Sequence, residues 1–310
     1  MLYASIEKKL LEMQKMLNSE GKLLSKENLA VCYEKFREKF CPEALRLLDG
    51  EALLDFMHSH ATKESLVYWL EFKDDKELPA IFGSIAGGSA LKFGLYKRKE
   101  TGKWLTGHPS NQRELTIEEA IGFARKHRDQ LIKGDDLLKQ MPVSPSFDDY
   151  VNLQNSLGEE APDVSTLAWG HKYFSLLHPN ILDDFHSPDY QRYMLTRMLQ
   201  KTPSDKDGRY IAAYTFQQIA KHLGMHINHL TYSLNELYGK PYSYWRVGTT
   251  DGEDSNYWSE MKQGNFISVG WDNLGDLSWV NYKSEDKEEL KKLMLEKYPK
   301  PAHVSSRQSN

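Results

Sequence analysis

The chain carries only two cysteines in 310 residues, Cys32 and Cys41. Two thiols cannot supply a four-thiolate metal site or a disulfide scaffold, so the fold must rest on an apolar core. No apolar run is long enough to cross a bilayer. The N-terminal stretch MLYASIEKKLLEMQKML has acids and lysines interrupting its apolar positions, so it lacks a secretory core and reads as an amphipathic helix. Cytoplasmic residence is the expectation. An excess of positive charge is also missing: 40 Lys and Arg face 44 Asp and Glu, for a net charge of −4. This balance argues against broad electrostatic capture of nucleic acid, which needs many cations on phosphates, so any DNA contact must use local patches.

Catalytic signatures are equally scarce. There is no G-x-S-x-G elbow, no Cys-His signature and no D-x-D metal pair in a recognisable setting. The glycine-rich stretch GSIAGGSALKFG, from Gly83 to Gly94, lacks the Gly-Lys-Ser/Thr of a phosphate loop and the G-x-G-x-x-G of a dinucleotide site. It reads as a β-turn or bulge, with Lys92 on a phosphate as the lesser option. Asp183, Asp184, His186 and Asp189 are ion-ligating residue types, but they read as capping and solvating a loop before a helix near Pro188. The expectation is a non-catalytic chain with no metal and no cofactor.

What is present is a clear succession of periods. Leu29, Tyr33, Phe36 and Phe40 recur at helix-face spacing after Ser25 as N-cap, and Pro42 opens the next helix. From Ser65 the β-branched and aromatic segments SLVYWLEF, AIFGSI and LKFGLYKR, followed by ETGKW, predict a three- or four-stranded antiparallel sheet. Thr116 and Glu119 form a capping box ahead of a helix to about Ile132, with Ile117, Ala120, Ile121, Ala124 and Leu131 as its buried stripe. MPVSPSFDD, residues 141–149, reads as a linker. The region after it is helical to about Tyr238, divided by a loop at residues 201–208.

His222, His226 and His229 invite a zinc assignment, yet no acid or Cys completes the set and Gly224 interrupts the helix. A helix-turn-helix pattern accounts for more: Ile219, Ala220 and Leu223 line one helix, Gly224 makes the turn, and Met225, Leu230 and Leu234 pack the next. The second helix, residues 227–238, would present Asn228, His229, Thr231, Tyr232 and Asn235 to a DNA groove, Asn being suited to adenine edges. Lys240 and Arg246 lie just beyond.

Residues 244–279 hold four of the seven tryptophans. Strand-like YWRVGT, a short helix near residues 257–262 and strand-like FISVGW follow one another there. This span resembles the opening of EVE-like modules of the PUA superfamily, which bind modified bases. Residues 65–104 and 167–195 resemble segments that precede the ATPase domain in McrB-type restriction proteins. The resemblance implies a DNA-recognition region reading modified or foreign DNA in an anti-phage defence system. It also implies an NTPase motor and a nuclease supplied in trans or encoded downstream, and a C-terminal module needing strands beyond residues 304–310. Within the module Trp245, Trp258 and Trp271 can stack on a base and Asp272 and Asn273 can meet its edge, with Trp258 the best suited to a structural role.

The expected fold class is α+β. Residues 1–140 form a sheet with helices, residues 150–240 a helical domain with a helix-turn-helix-like pair, and residues 241–310 a partial EVE/PUA-like module. DNA is the expected partner and a membrane is not; the alternative is a protein–protein adaptor whose aromatics serve only as core.

Overall fold

The computed structural model describes residues 2–72, 82, 85, 92–98, 101–108, 110–201, 203, 208–241, 250–251, 255–256, 258–264, 274–275 and 284–297. Two compact units are present, Met1–Pro241 and Tyr242–Asn310. The first is mostly helical with one small sheet. Among the described residues no helix is long and apolar enough to cross a membrane.

The first unit opens with α1 (Ala4–Ser19), α2 (Lys26–Phe40), α3 (Pro42–Arg46), α4 (Gly50–His58) and α5 (Leu66–Phe72). The Ser25 hydroxyl accepts from the Asn28 N–H at the start of α2, and Pro42 occupies the first turn of α3, where its missing N–H costs nothing. Leu29, Tyr33, Phe36 and Phe40 are buried as their spacing requires. Segment 65–72 departs from expectation, being the helix α5 and not a strand. Leu66, Val67, Trp69 and Leu70 are all buried, a cluster that i, i+3, i+4 geometry brings to one face, and the Ser65 hydroxyl caps the turn by accepting from the Tyr68 N–H.

Three short antiparallel strands follow in the order β1 (Leu95–Lys97), β2 (Trp104–Thr106), β3 (Arg113–Leu115). Leu95 pairs with Thr106 and Trp104 with Leu115. Most of the Gly83 to Gly94 stretch lies outside the described residues. Lys92 is buried and ion-paired with Glu71, so its charge is consumed inside the protein and does not await a phosphate.

Helix α6 (Ile117–Lys139) begins with the expected reciprocal Thr116–Glu119 capping box but continues well past Ile132. Gly134 lies under the Phe174 ring, whose Cζ would be 2.2 Å from a Cβ at that position, so the glycine permits close helix packing and does not end the helix. Ile117, placed in the buried stripe from sequence, is exposed. Then come α7 (Phe147–Glu160), α8 (Pro162–Ser165), α9 (Ala168–Leu177), α10 (Pro188–Leu199), α11 (Arg209–Leu223) and α12 (Ile227–Tyr238).

One core runs through α2, α4, α5, the sheet, α6, α7 and α9, from Leu29 to Ala213, with Trp169, Tyr173 and Phe174 fully buried in it. Residues 1–140 and 150–240 are therefore one unit: the Pro- and Ser-rich segment 141–149 connects two helices that share a core. A second core joins α1, α10, α11 and α12 through Ile6, Leu10, Phe185, Met194, Phe216 and Leu230.

In the second unit, β4 (Thr250–Asp251) pairs with β5 (Ser255–Asn256), and α13 (Trp258–Gly264) and α14 (Ser284–Lys297) follow. Trp258, expected to dock its helix, is 52% exposed, with the Lys262 ammonium over its ring. Met261, one turn on, is the buried residue of α13.

Candidate functional site

The chemistry concentrates where the α9–α10 connection meets α11 and α12. Asp183, Asp184 and His186 are not solvated as their loop position suggested; each is almost wholly buried. Asp183 Oδ1 accepts from the Phe185 N–H at 2.8 Å and Oδ2 from Gln191 Nε2 at 2.8 Å. Gln191 also donates to the Arg209 carbonyl at 3.0 Å, tying α10 to the start of α11. Burial pushes the Asp183 carboxyl up to about 8 despite these hydrogen bonds. Asp184 Oδ2 accepts from Asn228 Nδ2 at 2.9 Å and from Thr231 Oγ1 at 3.3 Å, and burial raises its carboxyl to about 6. Beneath them Lys172 donates to the Leu70 carbonyl, and burial lowers its ammonium to about 8.

Histidines share this interior. His186 Nε2 lies 3.1 Å from the Phe82 carbonyl, which can only accept, so Nε2 carries the proton. Its Nδ1 then accepts from His171 Nδ1 at 3.1 Å, and His171 Nε2 has no partner. Burial holds His186 down at about 3 and His171 well below the ordinary imidazole range. A second pair, His58 and His127, is built alike against Trp169. Neutral imidazoles fixed by one another are packing elements, and among the described residues no group of three His, Cys, Asp or Glu side chains could hold a metal.

Helices α11 and α12 join through Gly224, whose φ of +65° is the left-handed turn that glycine alone adopts cheaply. The groove-facing assignment of α12 does not survive, however. Asn228, His229 and Thr231 are buried. Asn228 and Thr231 serve Asp184, as above, while His229 donates to the Leu24 carbonyl at 2.7 Å and meets Gln14 of α1. Helix α1 lies across α12 and takes the place a groove would have. The physical reason is the spacing itself: buried apolar residues Ile227, Leu230 and Leu234 surround these polar positions on a helix only three turns long. Tyr232 and Asn235 stay partly exposed, and Asn235 Oδ1 accepts from the Tyr190 hydroxyl at 2.8 Å. Trp245, Arg246, Trp271, Asp272 and Asn273 lie outside the described residues.

Two hollows open beside this network. One, about 230 Å³, sits at the α11–α12 turn and is lined by Lys26, Lys221, His226, Asn180 and Gln217 among others, with no acid in its wall. Both lysines are exposed. His226 accepts from the Asn228 N–H, and burial, with His229 and Lys26 nearby, lowers it to about 4. The other hollow, about 400 Å³, has Arg209, Lys240, Asn235, Tyr190, Phe185 and Asp184 in its wall. Phe185 and Tyr190 stack with centroids 5.1 Å apart. Lys26, Lys221 and Arg209 were not singled out from sequence, since single cations far apart in the chain carry no pattern; Lys240 was noted only as lying beyond α12.

No protein-family model, curated protein or solved structure matches this chain.

Proposed function

We propose that this chain is the DNA-recognition region of a McrB-type restriction system, reading modified or foreign DNA for a motor and a nuclease carried elsewhere. The observation that carries the reading is the acid-free hollow at the α11–α12 turn, where Lys26 and Lys221 reach solvent on a protein whose net charge is negative. Local cation pairs of this kind are what a mildly acidic protein needs to hold phosphates. The resemblance read from residues 65–104 and 167–195 to McrB-type segments motivates the same reading. In this reading the duplex backbone meets the turn end of α11 and α12 and not the buried face of α12, and discrimination of the base falls to Trp245, Arg246, Trp271, Asp272 and Asn273 of the second unit.

The test is a titration of the chain against matched duplexes, unmodified or carrying methylated cytosine or adenine. A preference for one modified duplex that Trp271→Ala removes supports the reader. Binding to no duplex favours the adaptor.

A further inference from the structure

The larger hollow sits apart from the α11–α12 turn and has a different chemistry. Arg209, the first residue of α11, is half-buried, and its Nη1 is buried without a hydrogen-bond partner. Among the described residues it makes no ion pair. A guanidinium is a planar fork of donors that stays charged; the Asp183 carboxylate attracts it through space without a hydrogen bond, which leaves Nη1 to be completed by an anion. Lys240 adds a second, exposed cation on the same wall. Asn235, its carbonyl oxygen engaged by Tyr190, has its amide N–H groups left to donate. Tyr190, backed by Phe185, gives a flat apolar surface, and Ala168 and Pro188 extend it. The nine-tenths-buried Asp184 has one carboxylate oxygen, Oδ1, with no donor, so the same wall also offers an acceptor. The volume lies within the range of small-molecule pockets.

From this arrangement we infer that the hollow formed by Arg209, Lys240, Asn235, Tyr190 and Asp184 is a nucleotide-binding site, with the phosphate on Arg209 and Lys240 and the base lying along Tyr190. The two cations answer the phosphate, the ring surface answers the base, and the donor and acceptor pair of Asn235 and Asp184 answers the polar edge of the base. One chemistry serves two sources, a free mononucleotide or a nucleotide unit of a single strand. The assignment is independent of the DNA contact at the turn, which uses other cations.

Calorimetric titration of the whole chain decides it, with adenosine monophosphate, adenosine, inorganic phosphate and a short single-stranded oligonucleotide as probes. The nucleotide is expected to bind with one-to-one stoichiometry, at least about tenfold tighter than adenosine or phosphate alone, because each of those makes half the contacts. Arg209→Met is expected to weaken it roughly tenfold or more. Lys240→Gln, on the exposed rim where the fold is not at risk, is expected to weaken it by about threefold. If only the oligonucleotide binds and both substitutions weaken it, the site takes a nucleotide within a strand. No binding of the nucleotide or of the oligonucleotide, binding indifferent to both substitutions, or inorganic phosphate bound as tightly as the nucleotide overturns the assignment.

Discussion

Acid should unfold the first unit at a pH where most proteins of this size are still intact. His58, His127, His171 and His186 are buried and neutral, each with its proton affinity held below the ordinary value of 6.5, chiefly by burial. A group whose folded pKa is depressed contributes stability that is present above the unfolded pKa and lost as the pH falls below it. At pH 5 the unfolded chain has gained about 2 kcal/mol per imidazole, about 8 kcal/mol for the four. Asp183 and Asp184 act in the opposite sense. Their folded pKa values, about 8 and about 6, exceed the unfolded value near 3.8, so they restore stability as the pH falls. Between pH 8 and pH 5 they return about 5 kcal/mol. For these six groups the loss is about 3 kcal/mol at pH 5 and about 6 at pH 4, and His226, lowered to about 4, adds about 2 and about 3 to it, against a total stability of about 5–15 kcal/mol for an ordinary domain. Urea titrations of the chain at a series of pH values, followed by near-ultraviolet circular dichroism of the buried aromatics, read this directly. Imidazole proton NMR should show these four histidines failing to titrate down to the unfolding pH. A flat stability from pH 8 to pH 4, or resonances titrating near 6.5, would show that these imidazoles are not held neutral by burial.

Three further perturbations follow from the geometry. Replacing Asp184 by Asn removes a carboxyl that destabilises the fold as the pH rises through about 6, so the variant should gain about 2 kcal/mol relative to the native chain between pH 4 and pH 8, seen in paired denaturation curves. Gly170→Ala places a Cβ 2.0 Å from the Val164 carbonyl, a backbone atom that cannot step aside, and should cost about 3 kcal/mol in thermal or urea unfolding. Thr116→Ala removes one half of the capping box of α6 and should cost about 1 kcal/mol, with faster amide exchange confined to the first turn.

Sequence alone made several local features legible because their causes are local. Ser25, Pro42, the Thr116–Glu119 pair and Gly224 each act within four residues, and the helix ends they mark are where the structure has them. Segment 65–72 misled because a short apolar run satisfies a strand and a buried helical turn equally well, and only its packing decides. The polar interior was illegible for a different reason. Asp184 finds Asn228 across 44 residues and Lys172 reaches Leu70 across 102, so an acid pair that looked like a solvated loop is a buried junction. Asn228 and Thr231 looked like groove contacts for the same cause: a polar residue on a helix face announces a hydrogen bond but not its partner. Segment 141–149 had linker composition, yet the helices on either side, α6 and α7, share a core that no local feature announces.

In the proposed function, DNA phosphates meet the cations of the α11–α12 turn. The most direct test is the salt dependence of duplex binding by the native chain and by a Lys26→Gln, Lys221→Gln variant, both positions being exposed and outside the cores. Each lost phosphate contact should reduce the slope of log K against log salt by about 1, so the variant's slope should be shallower by about 2, with weaker binding to every duplex. Binding with an unchanged slope, or no duplex binding by the native chain at low salt, would contradict it.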